Sequence, residues 1–178
     1  MSKYDFLQEY RYDTMMAVET GLSEEAPHFF IRQQVDFLKS EIENIQAKLQ
    51  ITIPQQLIDF WENVGVGQFF AEPPDEYMGR YQMMSVERIL GVYFPELDKQ
   101  HSYNTIRADA QNFLAEYGLL AFCEFDEYSA LYIALQPDTK GQYAIWSAPT
   151  IKIAASLEEF VDRLFKEPDY FLDDDFND

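Results

Sequence analysis

Apolar residues recur at helical spacing through residues 31–49. They advance along the chain in steps of four, three, four, three and four, at Ile31, Val35, Leu38, Ile42, Ile45 and Leu49. A continuous stripe of this kind predicts an amphipathic helix that lies on a core, because fewer than three heptads is short for a coiled coil. Similar spacing among residues 6–17 suggests a short helix near the N-terminus.

A further helix is predicted over residues 54–64. Pro54 suits the first helical position, where its missing N–H would be unpaired in any case. The apolar residues behind it fall at i, i+3, i+4 and i+7, at Leu57, Phe60, Trp61 and Val64. Gly65 is expected to end this helix in a left-handed conformation, and Gly67 is expected to allow another tight turn.

The middle of the chain predicts a strand followed by two helices. Residues 81–84 are strand-like, and Ser85 can cap the helix that comes next. A second helix over residues 105–117 is closed by Gly118. Its predicted buried face consists of Ala110, Phe113, Leu114 and Tyr117.

From residue 119 onward the apolar period becomes two residues, which is typical of strands. The runs at 119–125 and 130–135 predict a hairpin, and further strands are predicted at 142–148 and 150–154. Ser156 and Glu159 then form a capping box that opens a last helix.

Composition and charge restrict the kinds of partner. The 178 residues suffice for one domain with a core, and 32 Asp and Glu against 13 Lys and Arg give a net charge of −19. Such a charge repels phosphate, which argues against direct binding of nucleic acid or an anionic membrane, whereas a basic protein partner would be attracted. No apolar run reaches about 20 residues, and the N-terminus lacks the apolar core of a signal peptide, so a cytoplasmic location is expected.

Few residues carry recognisable catalytic or metal-binding chemistry. The two histidines, His28 and His101, are far apart in sequence, and the one cysteine, Cys123, lies in an apolar strand where a buried, inert thiol is expected. The acids of residues 173–176 lack the spacing and glycine of a calcium loop, so a solvated tail is the better interpretation. P-loop, dinucleotide and nucleophile-elbow motifs are missing. The sequence therefore predicts no enzyme, no metal site and no cofactor.

Two acidic segments that contain tyrosine are the candidate partner-binding surface. Residues 70–80 form a predicted proline-rich loop, and residues 124–128 surround the predicted hairpin turn. Interfaces favour tyrosine at their centres, while charges supply steering and register; the alternative is an ordinary polar rim. The candidate residues are Glu72, Asp75, Glu76, Tyr77, Glu124, Asp126, Glu127 and Tyr128, with Tyr81 as a further tyrosine of the first segment.

The order of these motifs resembles the SMI1/KNR4 family of the SUKH superfamily. The resemblance is carried by the helix and glycines of 53–67, the strand–Ser–helix unit of 81–90, the hairpin of 119–135, the strand that ends at Trp146 and the helix of 156–164. It implies an α+β fold, a single domain in which a twisted, mostly antiparallel sheet is packed by helices. It covers about residues 31–166, between an N-terminal extension at 1–30 and an acidic C-terminal tail at 167–178.

Bacterial SUKH proteins are mostly similar to immunity proteins, each of which guards its own cell against a polymorphic toxin domain. The resemblance therefore implies a non-enzymatic immunity protein, or antitoxin, that binds and blocks a cognate, basic toxin domain such as a nuclease. Fungal relatives act as scaffolds in cell-wall signalling, so the alternative is a regulatory scaffold that docks endogenous protein partners. The sequence leaves the oligomeric state open, and a homodimer is compatible with it.

Overall fold

A computed structural model of the protein describes Tyr4 and residues 11–13, 30–33, 39–69, 81–98, 104–125, 129–166 and 170–171. The α-helices in these ranges are α1 (Lys39–Leu49), α2 (Gln55–Asn63), α3 (Val86–Tyr93), α4 (Asn104–Tyr117) and α5 (Leu157–Lys166), with a short 3-10 helix at Pro95–Leu97. The strands are β1 (Arg11–Asp13), β2 (Phe30–Gln33), β3 (Val66–Phe69), β4 (Tyr81–Met83), β5 (Leu119–Phe125), β6 (Ser129–Ala134), β7 (Ile145–Ala148) and β8 (Ile151–Ala154).

The strands form one sheet in which every strand lies beside its neighbour in sequence, from β1 to β8. The β1–β2 pair is parallel, and all other pairs are antiparallel. Short connections suffice for such a meander, because antiparallel neighbours need no crossover. The predicted fold class, an α+β domain with a mostly antiparallel sheet, is confirmed.

Helices cover both faces of the sheet. On one face, α2 and α5 bring Phe60 to 6.2 Å from Phe69 and Phe160 to 6.1 Å from Phe122, measured between ring centroids. On the other face, α4 sets Phe113 against Tyr132 at a centroid distance of 5.0 Å. The core therefore consists of two apolar layers with the sheet between them.

Several local predictions are confirmed at the helix ends. Gly65 has a φ of 101°, and its N–H donates to the Phe60 carbonyl, so α2 ends in the left-handed conformation expected of glycine. The Ser85 hydroxyl accepts from the Arg88 N–H at 3.2 Å. Before α5, Ser156 Oγ accepts from the Glu159 N–H at 3.1 Å, and the Glu159 carboxylate accepts from Ala155 N–H.

The N-terminal half differs from its predicted secondary structure. Residues 31–33, predicted as the first turn of a helix, belong to β2, and α1 begins only at Lys39. Residues 11–13, within the predicted short helix, form β1. In both cases backbone pairing with a neighbouring strand overrode a helical pattern, and β3 supplies the partner for β2.

Three side-chain or backbone predictions also prove wrong. Pro54 occupies the N-cap position of α2 and not the predicted first helical position, which is Gln55. Gly67 does not turn the chain but lies inside β3, where its carbonyl accepts from the Gln82 amide at 3.1 Å. Tyr117, predicted to be buried, is 56% exposed.

A buried ion pair joins α3 to α4. Arg107 Nη2 lies 2.8 Å from Asp98 Oδ2, and the guanidinium also donates to the carbonyls of Gly91 and Val92, each at 3.1 Å. Asp98 is only 5% exposed. The arginine thus satisfies carbonyls in the last turn of α3, which have no partner within the helix, and links α4 to Asp98.

Candidate functional site

Both predicted partner-binding segments leave the sheet at the same end. Phe69 pairs with Tyr81, Tyr81 with Phe125, and Phe125 with Ser129, so these four residues form one row across β3–β6. Segment 70–80 joins the first two strands beyond this row, and segment 126–128 joins the last two. Three strand spacings amount to about 15 Å, so the segments start close together. We refer to the sheet end marked by this row as the acidic end.

The acidic side chains of these segments lie mainly outside the described residues. Those outside are Glu72, Asp75, Glu76, Tyr77, Asp126, Glu127 and Tyr128. Their role in partner binding stays a prediction, as do the domain boundaries. The structure places the points at which their segments are attached. Of the eight candidate residues other than Tyr81, only Glu124 has a described side chain.

Glu124 is held in an ion pair on the face of the sheet that carries α3. Arg88 Nε and Nη2 each donate to one carboxylate oxygen of Glu124 at 3.0 Å, which is a bidentate geometry. Burial raises the pKa of Glu124, and the neighbouring Arg88 charge and hydrogen bonds act in the opposite direction. Glu124 is therefore already paired within the protein, in contrast to an ordinary surface acid.

Tyr81 was predicted as an exposed interface tyrosine, and this is wrong. Its side chain is completely buried and stacks on Phe125 with ring centroids 5.0 Å apart. The alternation of a strand turns Tyr81 toward the α2 face, together with its cross-strand partner. It therefore belongs to a buried aromatic layer beneath the acidic end.

A C-terminal aromatic pair completes this buried aromatic layer. The Phe171 ring lies 5.5 Å from that of Phe125 and 6.2 Å from that of Tyr81. Tyr170 donates its hydroxyl to the Ile153 carbonyl of β8 at 2.9 Å, and the Arg163 guanidinium lies 3.8 Å above its ring. The segment that bears Asp173, Asp174, Asp175 and Asp178 therefore starts at the acidic end too.

Sequence reasoning missed this convergence of a third acidic segment. The aromatic dipeptide at 170–171 was an available signal, since two adjacent aromatic residues before an acidic run suggest an anchored segment. Together, segments 70–80, 126–128 and 172–178 contain nine acids and one base. Almost half of the net charge of −19 is therefore attached at one end of the sheet.

Replacing Arg88 with alanine tests the ion pair beside the acidic end. The pKa of Glu124 should rise further without the cation. A carboxyl whose pKa is raised in the folded state stabilises the fold at low pH, and this contribution is lost as the pH rises through its folded-state pKa. We expect a loss of about 1–3 kcal/mol at pH 7 and a smaller loss at a more acidic pH, because protonation of Glu124 removes its attraction to Arg88 in the wild type. Urea denaturation of wild type and variant at each pH measures this difference.

The matched control for Arg88→Ala is the double variant Arg88→Ala/Glu124→Gln. It lacks the titrating carboxyl, so its difference from the single variant Glu124→Gln should vary less with pH over the same interval. The Ser85 cap uses the backbone of Arg88 and is retained in both variants. A destabilisation by Arg88→Ala that is the same at both pH values would contradict the assigned electrostatic role.

The structure offers little for metal or thiol chemistry in its described part. No group of three His, Cys, Asp or Glu residues placed to hold a metal ion occurs there. His28 and His101 lie outside that part. Cys123 is fully buried, and burial followed by the nearby Glu124 charge raises the pKa of its thiol, as expected for an inert cysteine.

An open apolar groove lies away from the acidic end. It has a volume of about 380 Å³, and its lining residues are Leu49, Ile51, Tyr93, Phe94, Gln111, Leu114, Ala115 and Leu135. The Tyr93 hydroxyl accepts from Ala121 N–H at 2.9 Å, and the Gln111 amide donates to the Tyr93 carbonyl at 3.2 Å. These polar groups are thus engaged in holding α3, α4 and β5 together.

The described part of the chain combines a helix-packed, mostly antiparallel meander with acidic segments that are attached at one end of the sheet. None of the helices in the described ranges is long and apolar enough to cross a membrane.

The chain belongs to the SMI1/KNR4 family (SUKH-1), whose family model matches residues 38–163. This match covers well over half of the chain and confirms the predicted family. Comparison with curated proteins and with solved structures gave no significant match. The SUKH family is known for immunity proteins, which are generally non-enzymatic and generally bind toxin partners.

Proposed function

We propose that this protein is a non-enzymatic immunity protein whose acidic end binds and blocks a basic, cognate toxin domain, such as a nuclease, in the cytoplasm. The observation that carries the proposal is the attachment of three acidic segments at one end of the sheet in a SUKH-family chain. Carboxylates there can occupy the positions at which a basic toxin would otherwise bind phosphate, and inhibition follows by occlusion.

Electrostatic steering supports fast capture of such a partner. Opposite charges raise the association rate constant well above that of a neutral pair, and salt lowers it because the Debye length falls to about 8 Å at physiological ionic strength. The buried aromatic layer gives the segments a firm attachment, so less conformational freedom is lost on binding than with attachment to a loose terminus.

The proposal predicts that a toxin domain is encoded beside this gene, and the test uses that domain. Wild-type protein should protect cells that express this domain and should bind it in a salt-sensitive complex. The double variant Glu76→Lys/Asp126→Lys is expected to weaken binding by about 100-fold, chiefly by replacing attraction with repulsion at the contact. Calorimetry or surface plasmon resonance at several salt concentrations measures the effect.

The matched control reverses two exposed acids on other elements, Glu43→Lys in α1 and Glu62→Lys in α2. It changes the net charge by the same amount, so its affinity should fall by no more than about threefold if location matters. Equal losses in both double variants would sink the assignment to the acidic end. If the wild-type protein gives no protection and forms no complex, the immunity function is wrong. A complex without protection would favour a docking scaffold.

A further inference from the structure

Among the described residues, helices cover only part of the sheet face that carries α4. Helix α4 packs on β5 and β6. Beyond it, Trp146 of β7 and the preceding Ala144 remain half-buried, and Lys152 of β8 is exposed. The cross-strand pairs Tyr132–Trp146 and Trp146–Lys152 place these residues in one row away from the helix. The surface therefore consists of a step formed by α4 and an open floor formed by β7 and β8.

Aromatic side chains line the step. Asp109, Phe113 and Tyr117 recur at i, i+4 and i+8 and so share one side of α4. Phe113 contacts Tyr132 edge-on, and Tyr117, which is 56% exposed, lies 6.3 Å from Phe113 between ring centroids. Burial and then the Asp109 charge raise the pKa of Tyr132, which places this carboxylate on the same side.

Opposite charges flank the aromatic row. The exposed acids Asp109 and Glu116 lie on the α4 side. On the β8 side, a hydrogen bond from the Gln142 N–H and then the charges of Lys140 and Lys152 lower the pKa of the exposed Asp138, so this side carries two bases and one acid. A surface with aromatic residues in the middle and opposite charges at its two borders is complementary to itself under a two-fold rotation. If the axis runs parallel to the strands and above Trp146, between the two copies, each Lys152 faces the acids of the other copy. The same rotation places α4 of each copy above the open floor of the other.

We propose that this step-and-floor surface binds a second copy of the same chain and forms a two-fold symmetric dimer. Tyr117 and Trp146 form its centre, and Lys152 pairs with Glu116 of the other copy. The acidic end lies at the ends of β3–β6 and remains outside this contact, so the proposal does not depend on the immunity function. Each chain carries −19, so the dimer forms best at an ionic strength that screens the overall repulsion.

Sedimentation velocity of the full-length protein tests the proposal. Concentrations from about 1 µM to about 100 µM cover the range of a modest interface. We expect a concentration-dependent dimer at physiological salt, and less dimer at low salt. The variants Lys152→Glu and Glu116→Lys should each weaken the dimer by more than about tenfold, because like charges then meet twice per dimer.

Mixing the two single variants gives the decisive measurement. Lys152→Glu supplies two acids and Glu116→Lys supplies two bases, so an equimolar mixture should recover a heterodimer with both pairs complementary. Lys39→Glu and Glu43→Lys are the matched controls, since they make the same charge changes at exposed positions of α1. They should leave the dimer within about threefold of wild type.

Three outcomes would overturn the proposal. These are a wild-type protein that stays monomeric throughout, a dimer that survives both single variants, and a mixture in which no heterodimer forms. Circular dichroism confirms that the exposed substitutions leave the fold intact. Glu116→Lys lowers the overall negative charge of the protein, which by itself would favour association. Weaker association of this variant would therefore result from the loss of the Lys152–Glu116 pair and not from general repulsion.

Discussion

Replacing Phe171 with alanine is expected to lower the free energy of unfolding by about 3 kcal/mol. The ring is 6% exposed and contacts both Tyr81 and Phe125, so its removal opens a cavity under the acidic end. In a chain of this size such a loss corresponds to about 6–12 °C in Tm, measured by calorimetry or denaturant unfolding. Hydrogen exchange should show the largest gain in opening in the segment after α5.

Two milder substitutions act as controls for Phe171→Ala. Phe171→Leu retains most of the apolar volume and should cost about 1 kcal/mol. Tyr170→Phe removes only the hydroxyl that donates to Ile153, so a loss of about 1 kcal/mol is expected. Wild-type stability of Phe171→Ala would mean that the C-terminal segment is not anchored at the acidic end, and the convergence of the third acidic segment would then lack its structural basis.

A second large effect is expected at the buried Asp98–Arg107 pair. Asp98→Ala removes the carboxylate that compensates a largely buried guanidinium, and breaking a pair of this kind costs about 3–5 kcal/mol. The bonds from Arg107 to the carbonyls of Gly91 and Val92 also depend on the position of the arginine. Denaturant unfolding monitored by fluorescence measures the loss.

The Asp98 prediction has controls that separate charge from geometry. Asp98→Asn keeps an acceptor for Arg107 and should cost about 1–2 kcal/mol. The double variant Asp98→Ala/Arg107→Met removes both charges and should recover part of the stability, because no guanidinium is then left buried without its carboxylate. A loss below about 1 kcal/mol for Asp98→Ala would show that the pair contributes no more than a surface ion pair.

Features set by neighbouring residues could be predicted from the sequence. The caps at Ser85 and Ser156, the left-handed Gly65 and the apolar face of α2 each depend on side chains within about one helical turn. The β5–β6 hairpin was likewise predictable from two alternating runs separated by a short connection. The resemblance to the family then supplied the fold class, which the structure and the family model confirm.

Features set by distant residues could not be predicted in this way. Residues 31–33 carry a helical pattern, but the strand state forms because β3 offers backbone partners from more than 30 positions away. Nothing near Tyr81 indicates that Phe171 will bury it, and nothing near Asp98 identifies Arg107 as its partner. The acidic residues of the candidate site were found by composition, whereas their common sheet end follows only from the order of strands.

The sequential order of strands has a consequence for how such proteins diversify. Segments 70–80 and 126–128 at the acidic end are each joined to the body by their own two adjacent strands, so the length and composition of either segment can change without disturbing the pairing of any other hairpin. Natural variation can therefore change one of these segments at a time without altering the sheet to which it is attached. Under the proposed immunity function, recognition of a new toxin domain can then change stepwise while the folding core remains the same.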